Sequence, residues 1–155
     1  MLVMGSLSTI NTIGFCLKNV IFGCVKTLSL IKNVFTYDNH SGFHELNSLL
    51  YKTDIKSKIA KIHSLLVDIN ENIPHENIKD SVRLSIKDLE DCIVKINTNI
   101  EDCIYCKQKH DMIYFSSLRK MDLTPQIKNL ELHINILFNR FDDLVKILTV
   151  VKYIF

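Results

Sequence analysis

The stretch "CIYCKQKH", residues 103–110, holds the residue types that do chemistry: two cysteines three apart and a histidine four further on. Three roles fit such a set. Thiolates and imidazole bind zinc, a C-x-x-C pair can cycle between dithiol and disulfide, and residues on one helical side can simply pack. On a helix, positions 103, 106 and 110 share a side, and "HSGFH" adds His40 and His44 as distant candidate ligands. Structural zinc sites, however, usually take cysteines from a tight turn with a second clear pair elsewhere, and the second pair here is histidine only. No strand-based thioredoxin pattern precedes the cysteines. The apolar steps upstream decide between the roles. Extending the repeat from Ile96 and Ile100 lands next on Cys103, then on Cys106 or Lys107. The expectation is a packed helix with Cys103 in the core, no metal and no cofactor.

Other catalytic templates are missing: there is no G-x-S-x-G, no H-E-x-x-H and no glycine-rich phosphate loop. Asp88, Glu90, Asp91, Glu101 and Asp102 fall off the apolar stripe, so they read as a solvated face. His63 and His133 lie inside helical runs and read as half-buried or surface side chains. The chain is not read as an enzyme.

The elements that position these residues follow from helical periodicity. Ile55, Ile59, Ile62, Leu66, Ile69 and Ile73 step by four and three, as do Val82, Ile86, Leu89, Ile93, Ile96 and Ile100. Leu123, Ile127, Leu130, Ile134, Leu137, Phe141, Leu144 and Leu148 make a third stripe; Ile13, Leu17, Val20, Cys24, Leu28, Ile31 and Phe35 make a fourth, flanked by Ile21, Phe22 and Leu30. Turn formers in "YDNHSG" (37–42) and Pro74 in "NIPHEN" (72–77) end two helices. "LTPQI" (123–127) starts the last, with Thr124 as N-cap and Pro125 in the first helical position. The spacing predicts an all-α, up-down four-helix bundle in one domain over 1–155. Its helices cover 6–39, 43–72, 76–109 and 124–152, with a short extra helix or irregular linker near 112–120. Ile59, Ile62, Leu66, Ile86, Leu89, Ile93, Ile96, Leu130, Ile134, Leu137 and Phe141 form its expected core.

Composition narrows the function. Apolar residues make up 47% of the 155, ample for a core, and five cysteines without a framework pattern read as free thiols in a reducing compartment. Charge is uneven. Residues 1–61 carry seven lysines against Asp38, Glu45 and Asp54, a net +4, while the remainder carries −2. Residues 1–37 hold no acid at all. A basic, apolar leading segment suits an anionic membrane surface. It is not a clean signal peptide or span, because no cation precedes Lys18 and Lys26 interrupts the next apolar run. "MGSLST" (4–9) would fit myristoylation of Gly5 only if translation starts at Met4. A sequence pI near 8.2 falls short of a nucleic-acid footprint, which brings values above about 9.

Four features in order resemble the HeLo-like four-helix bundles: the executioner domain of the mixed-lineage-kinase-like pseudokinase, fungal HeLo domains and plant immune-receptor coiled-coil domains. They are the apolar leading helix "TIGFCLKNVIFGC" (12–24), the basic-start helix "IKSKIAKIHSLLVDI" (55–69), and the long helix "VRLSIKDLEDCIVKINTNIEDCI" (82–104). Last comes the aromatic break "MIYFSSL" (112–118) before "IKNLELHINILFNRFDDL" (127–144). The resemblance spans roughly residues 7–148, but no kinase-like or receptor domain follows within the sequence. It implies an oligomerising cytoplasmic protein that moves to membranes, engages anionic phospholipid and permeabilises the bilayer in cell death or immunity. The matching lipid-binding positions are Lys18, Lys26, Lys32, Lys52, Lys56, Lys58 and Lys61. The rival expectation is a helical interaction module, an adaptor or a Bcl-2-like viral modulator of host signalling, that offers a groove to a protein partner and has no membrane activity.

Overall fold

Periodic apolar stripes broken by turn formers give five helices in sequence: α1 (Leu2–Thr36), α2 (His44–Thr53), α3 (Ile55–Asn72), α4 (Asp80–Asp111) and α5 (Thr124–Val151). A single 3-10 turn, His75–Asn77, joins α3 to α4. The computed structural model describes residues 2–37, 43–113 and 121–151, with side chains from Ile13 onward. Every regular element among the described residues is helical. The expected extra helix near 112–120 lies largely outside them.

The expected second helix over 43–72 is two helices. Asp54 sits in the left-handed region at φ 53°, ψ 36°, closing α2 and opening α3. Stripe phase explains the break. α2 buries Leu46, Leu49 and Leu50, and the next buried residue is Ile55. A step of five turns the stripe by about 140° on an undisturbed helix, so no continuous helix keeps both halves against the core. Thr53 loosens the joint by returning its hydroxyl to the Leu49 carbonyl at 2.7 Å. Aspartate is among the few non-glycine residues that tolerate the left-handed conformation.

The other boundaries follow local chemistry. Ile73 is extended before Pro74 and ends α3, as a residue preceding proline should. At the start of α5, Thr124 is the first helical residue and not the cap; the Asp122 carboxylate accepts its backbone N–H at 3.0 Å.

α1 packs between α3 and α4, α5 packs chiefly on α4, and α2 lies against α1, α3 and α5. Buried side chains from all five helices form one cluster. Every expected core residue is buried except Phe141, which is half-buried. Along α1 the inward set is Ile13, Cys16, Leu17, Val20, Cys24, Thr27, Ile31 and Val34; Leu28 and Phe35, expected on the stripe, are only partly covered. Thr27 is drawn in by hydrogen bonding. Its hydroxyl lies 2.8 Å from the Gly23 carbonyl and 2.6 Å from Asn97 Oδ1, while the Asn97 amide donates to that carbonyl at 3.1 Å. Buried polar groups without partners are costly, so this small network between α1 and α4 stands satisfied. Gly23 allows the approach, since a Cβ there would lie 2.7 Å from Ile93 Cγ2.

Candidate functional site: the outer face of the first helix

The cysteine stretch resolves first. "CIYCKQKH" is the last part of α4. Cys103 and Lys107 take the inward positions, and the Lys107 ammonium is held by the Asp111 carboxylate one turn on. Cys106 turns toward α5, where the Gln126 amide approaches its sulfur at 3.7 Å. Among the described residues no group of three or more histidine, cysteine or acidic side chains is placed to hold a metal. Residue 40 lies outside them.

Burial also sets thiol reactivity. It pushes the Cys24 and Cys103 thiols up to about 12. Cys16 rises to about 12 through burial and through donating its S–H to Glu90 Oε2 at 2.8 Å. Cys92 is raised by burial as well. Thiolate is the nucleophile, so these four thiols should be inert near neutral pH. In an Ellman titration of native protein, only the half-buried Cys106 should react rapidly, and all five should react in denaturant. Rapid release from two or more native thiols would contradict this packing. The same shifts carry a stability consequence. Unfolded thiols ionise near 9.0 and the folded ones do not, so stability should fall as pH rises past about 9.

The Cys16 contact corrects one further expectation. Glu90 is not on the solvated face; its side chain is 16% exposed and turned toward α1. His133 is half-buried on α5, bonded through Nδ1 to Asn99 Oδ1 at 2.7 Å, and burial together with Lys95 lowers its pKa.

A surface of distinct chemical character is the side of α1 that faces away from the core. Phe15, Lys18, Phe22, Val25, Ser29 and Lys32 recur at helical spacing and are all exposed. Phe15 is 67% exposed and Phe22 71%, unusual for phenylalanine. Lys18 and Lys32 have no acidic partner within salt-bridge distance among the described residues. Lys26 sits on the shoulder toward α4 and pairs with Glu101 at 2.7 Å. The window Ile13–Thr36 is long and apolar enough to cross a membrane, with about a third of it buried; a core helix of a soluble protein passes the same test.

The second lysine group does not form one patch. Asp54 breaks the helix between Lys52 and Lys56, so the two are not a turn apart on one helix. Lys58 turns toward α5, its ammonium 4.5 Å from the centre of the Phe138 ring. Lys61 follows it on that flank, and Lys56 lies on the opposite one. Sequence reasoning noted Phe22 only as an apolar neighbour of the stripe and missed Phe15. Their seven-residue spacing off the stripe was the available signal.

In class, then, this is an all-helical protein whose first helix turns an acid-free face of aromatics and lysines outward. No family model, curated protein or solved structure matches the chain.

Proposed function

We propose that the chain is a four-helix bundle, α2 and α3 together forming its second arm, that binds anionic phospholipid through α1. As the HeLo-like resemblance implies, it moves from the cytoplasm to membranes, oligomerises there and permeabilises them in a cell-death or immune response. The observation that supports this most is the exposure of Phe15 and Phe22 among unpaired lysines on a face without acids. Phenylalanine rings on the outer side of a helix bury at the boundary of headgroups and acyl chains, and each basic residue near an anionic surface contributes about 1 kcal/mol. Lys18 and Lys32, with Lys26 at the shoulder, supply the charge on α1, while Lys52, Lys56, Lys58 and Lys61, which form no single patch, contribute to the positive field of the bundle.

The test is co-flotation with vesicles. Protein should rise with phosphatidylcholine–phosphatidylserine vesicles at low salt, stay behind with phosphatidylcholine alone, and release as salt rises. Screening over about 8–10 Å at physiological ionic strength weakens surface attraction. Dye leakage from the anionic vesicles reports permeabilisation. Equal binding to neutral vesicles, or none to anionic ones at low salt, would overturn the reading. A protein-partner reading draws on a different observation: the Thr27–Asn97 network and the Lys26–Glu101 pair hold α1 against α4. A helix so tied offers its outer face to a partner without leaving the fold.

A further inference from the structure

A concavity of about 530 Å³ opens against α2, lined by His44, Asn47, Ser48, Tyr51 and Lys52. These positions step by three and four, so they form one side of a single helix. Among the described residues the lining offers an ammonium, a hydroxyl, an imidazole, an amide and a phenol, and no carboxylate. Glu45 and Asp54, the acids at either end of α2, do not line it. Among the described residues Lys52 has no salt-bridge partner. Lys52 stands one turn on from Ser48 on the same side of α2. The Tyr51 ring stacks on Phe35 of α1 at 4.7 Å and 11°, which fixes one wall of the hollow beside the end of α1.

We infer that this concavity is a discrete site for a phosphate monoester, carried by a lipid headgroup or by a small soluble molecule. Lys52 supplies the opposing charge. Ser48 donates to a phosphate oxygen through a charge-assisted hydrogen bond, His44 borders the far end of the concavity, and the Tyr51–Phe35 stack covers the attached organic part. In its lipid form the site deepens the membrane reading and rests on it. It adds recognition of one headgroup to an attraction that is otherwise set by charge alone.

The test uses the full chain and two vesicle types of equal surface charge, phosphatidylcholine with phosphatidic acid and phosphatidylcholine with phosphatidylglycerol. A third arm follows the backbone amide signals of residues 44–52 by NMR as inorganic phosphate is added. Phosphatidic acid should be bound about tenfold more tightly than phosphatidylglycerol, the scale of one charge-assisted contact. Ser48→Ala should erase that preference with phosphatidylglycerol binding unchanged, and Lys52→Ala should abolish the phosphate-induced shifts. Saturating shifts without any vesicle preference support the site with a soluble ligand; saturating shifts with no vesicle bound at all sink the membrane reading and keep the site, and no shifts with no vesicle bound sink both. Equal binding to both vesicles with no shifts overturns the site and leaves the membrane reading intact.

Discussion

The Lys18→Glu, Lys32→Glu double variant is expected to bind anionic vesicles about a thousandfold more weakly than the parent, with unchanged helical content and melting temperature. Each lysine contributes about 1 kcal/mol near an anionic surface, and a carboxylate in its place repels by a similar amount. Two reversals therefore remove about 4 kcal/mol, close to three decades in affinity. The fold should not notice, because both side chains are exposed, off the buried stripe and unpaired among the described residues. Surface changes of this kind fall within about 0.5 kcal/mol. Lys26 makes a poorer probe: its reversal would set a new carboxylate against Glu101, 2.7 Å away in the parent pair. Lys58→Glu would likewise lose the cation over the Phe138 ring. The measurement is vesicle affinity at low salt, with circular dichroism on the same samples. A loss of less than tenfold in the folded double variant would remove α1 from the lipid-binding surface.

Much of the helical architecture was legible because burial on a helix repeats every three or four residues. The stripe from Ile55 to Ile69 and the stripe from Val82 to Ile100 are buried as the spacing required. Cys103 continues the second stripe into the core, which is why two cysteines and a histidine at suggestive spacing form no cluster. Phe141 fell short of full burial because α5 meets one helix closely, α4, and the others lightly.

What stayed hidden depends on neighbours that periodicity does not see. The Leu50-to-Ile55 step carried the break at Asp54, but it shows only when the two stripes are phased against each other and not read one at a time. Thr27 and Asn97 look like surface residues by type; they are buried because each supplies the other's hydrogen bond across 70 residues of chain. Lys107 could not be placed over Cys106 from sequence. What decides it is Asp111, one turn on, which accepts the buried ammonium. The candidate lipid face was half legible. Its charge was visible as an acid-free segment, whereas the exposure of Phe15 and Phe22 required knowing which side of α1 the other helices cover.

The approach of α1 to α4 at Gly23 should also be a sensitive point of the fold. Gly23→Val is expected to lower stability by about 3 kcal/mol, at the upper end of the usual cost of overpacking. A Cβ at 23 would already lie 2.7 Å from Ile93 Cγ2, nearer than carbon atoms pack, and valine adds two γ carbons beyond it. The atom it meets is a branch of a buried isoleucine, itself 1% exposed, with little room to move aside. Pushing α1 away would also stretch the two contacts that cross to α4, from the Thr27 hydroxyl to Asn97 Oδ1 and from the Asn97 amide to the Gly23 carbonyl, now 2.6 and 3.1 Å. The control is a double-mutant cycle with Ile93→Ala. That change alone should cost about 2–5 kcal/mol, as large-to-small core substitutions do. Combined with Gly23→Val it should cost clearly less than the sum, because the cavity it leaves receives the valine. Chemical denaturation of the four proteins reads the coupling. Additive costs would mean that α1 and α4 do not meet at Gly23 and Ile93, and the helix packing described for α1 would have to be redrawn.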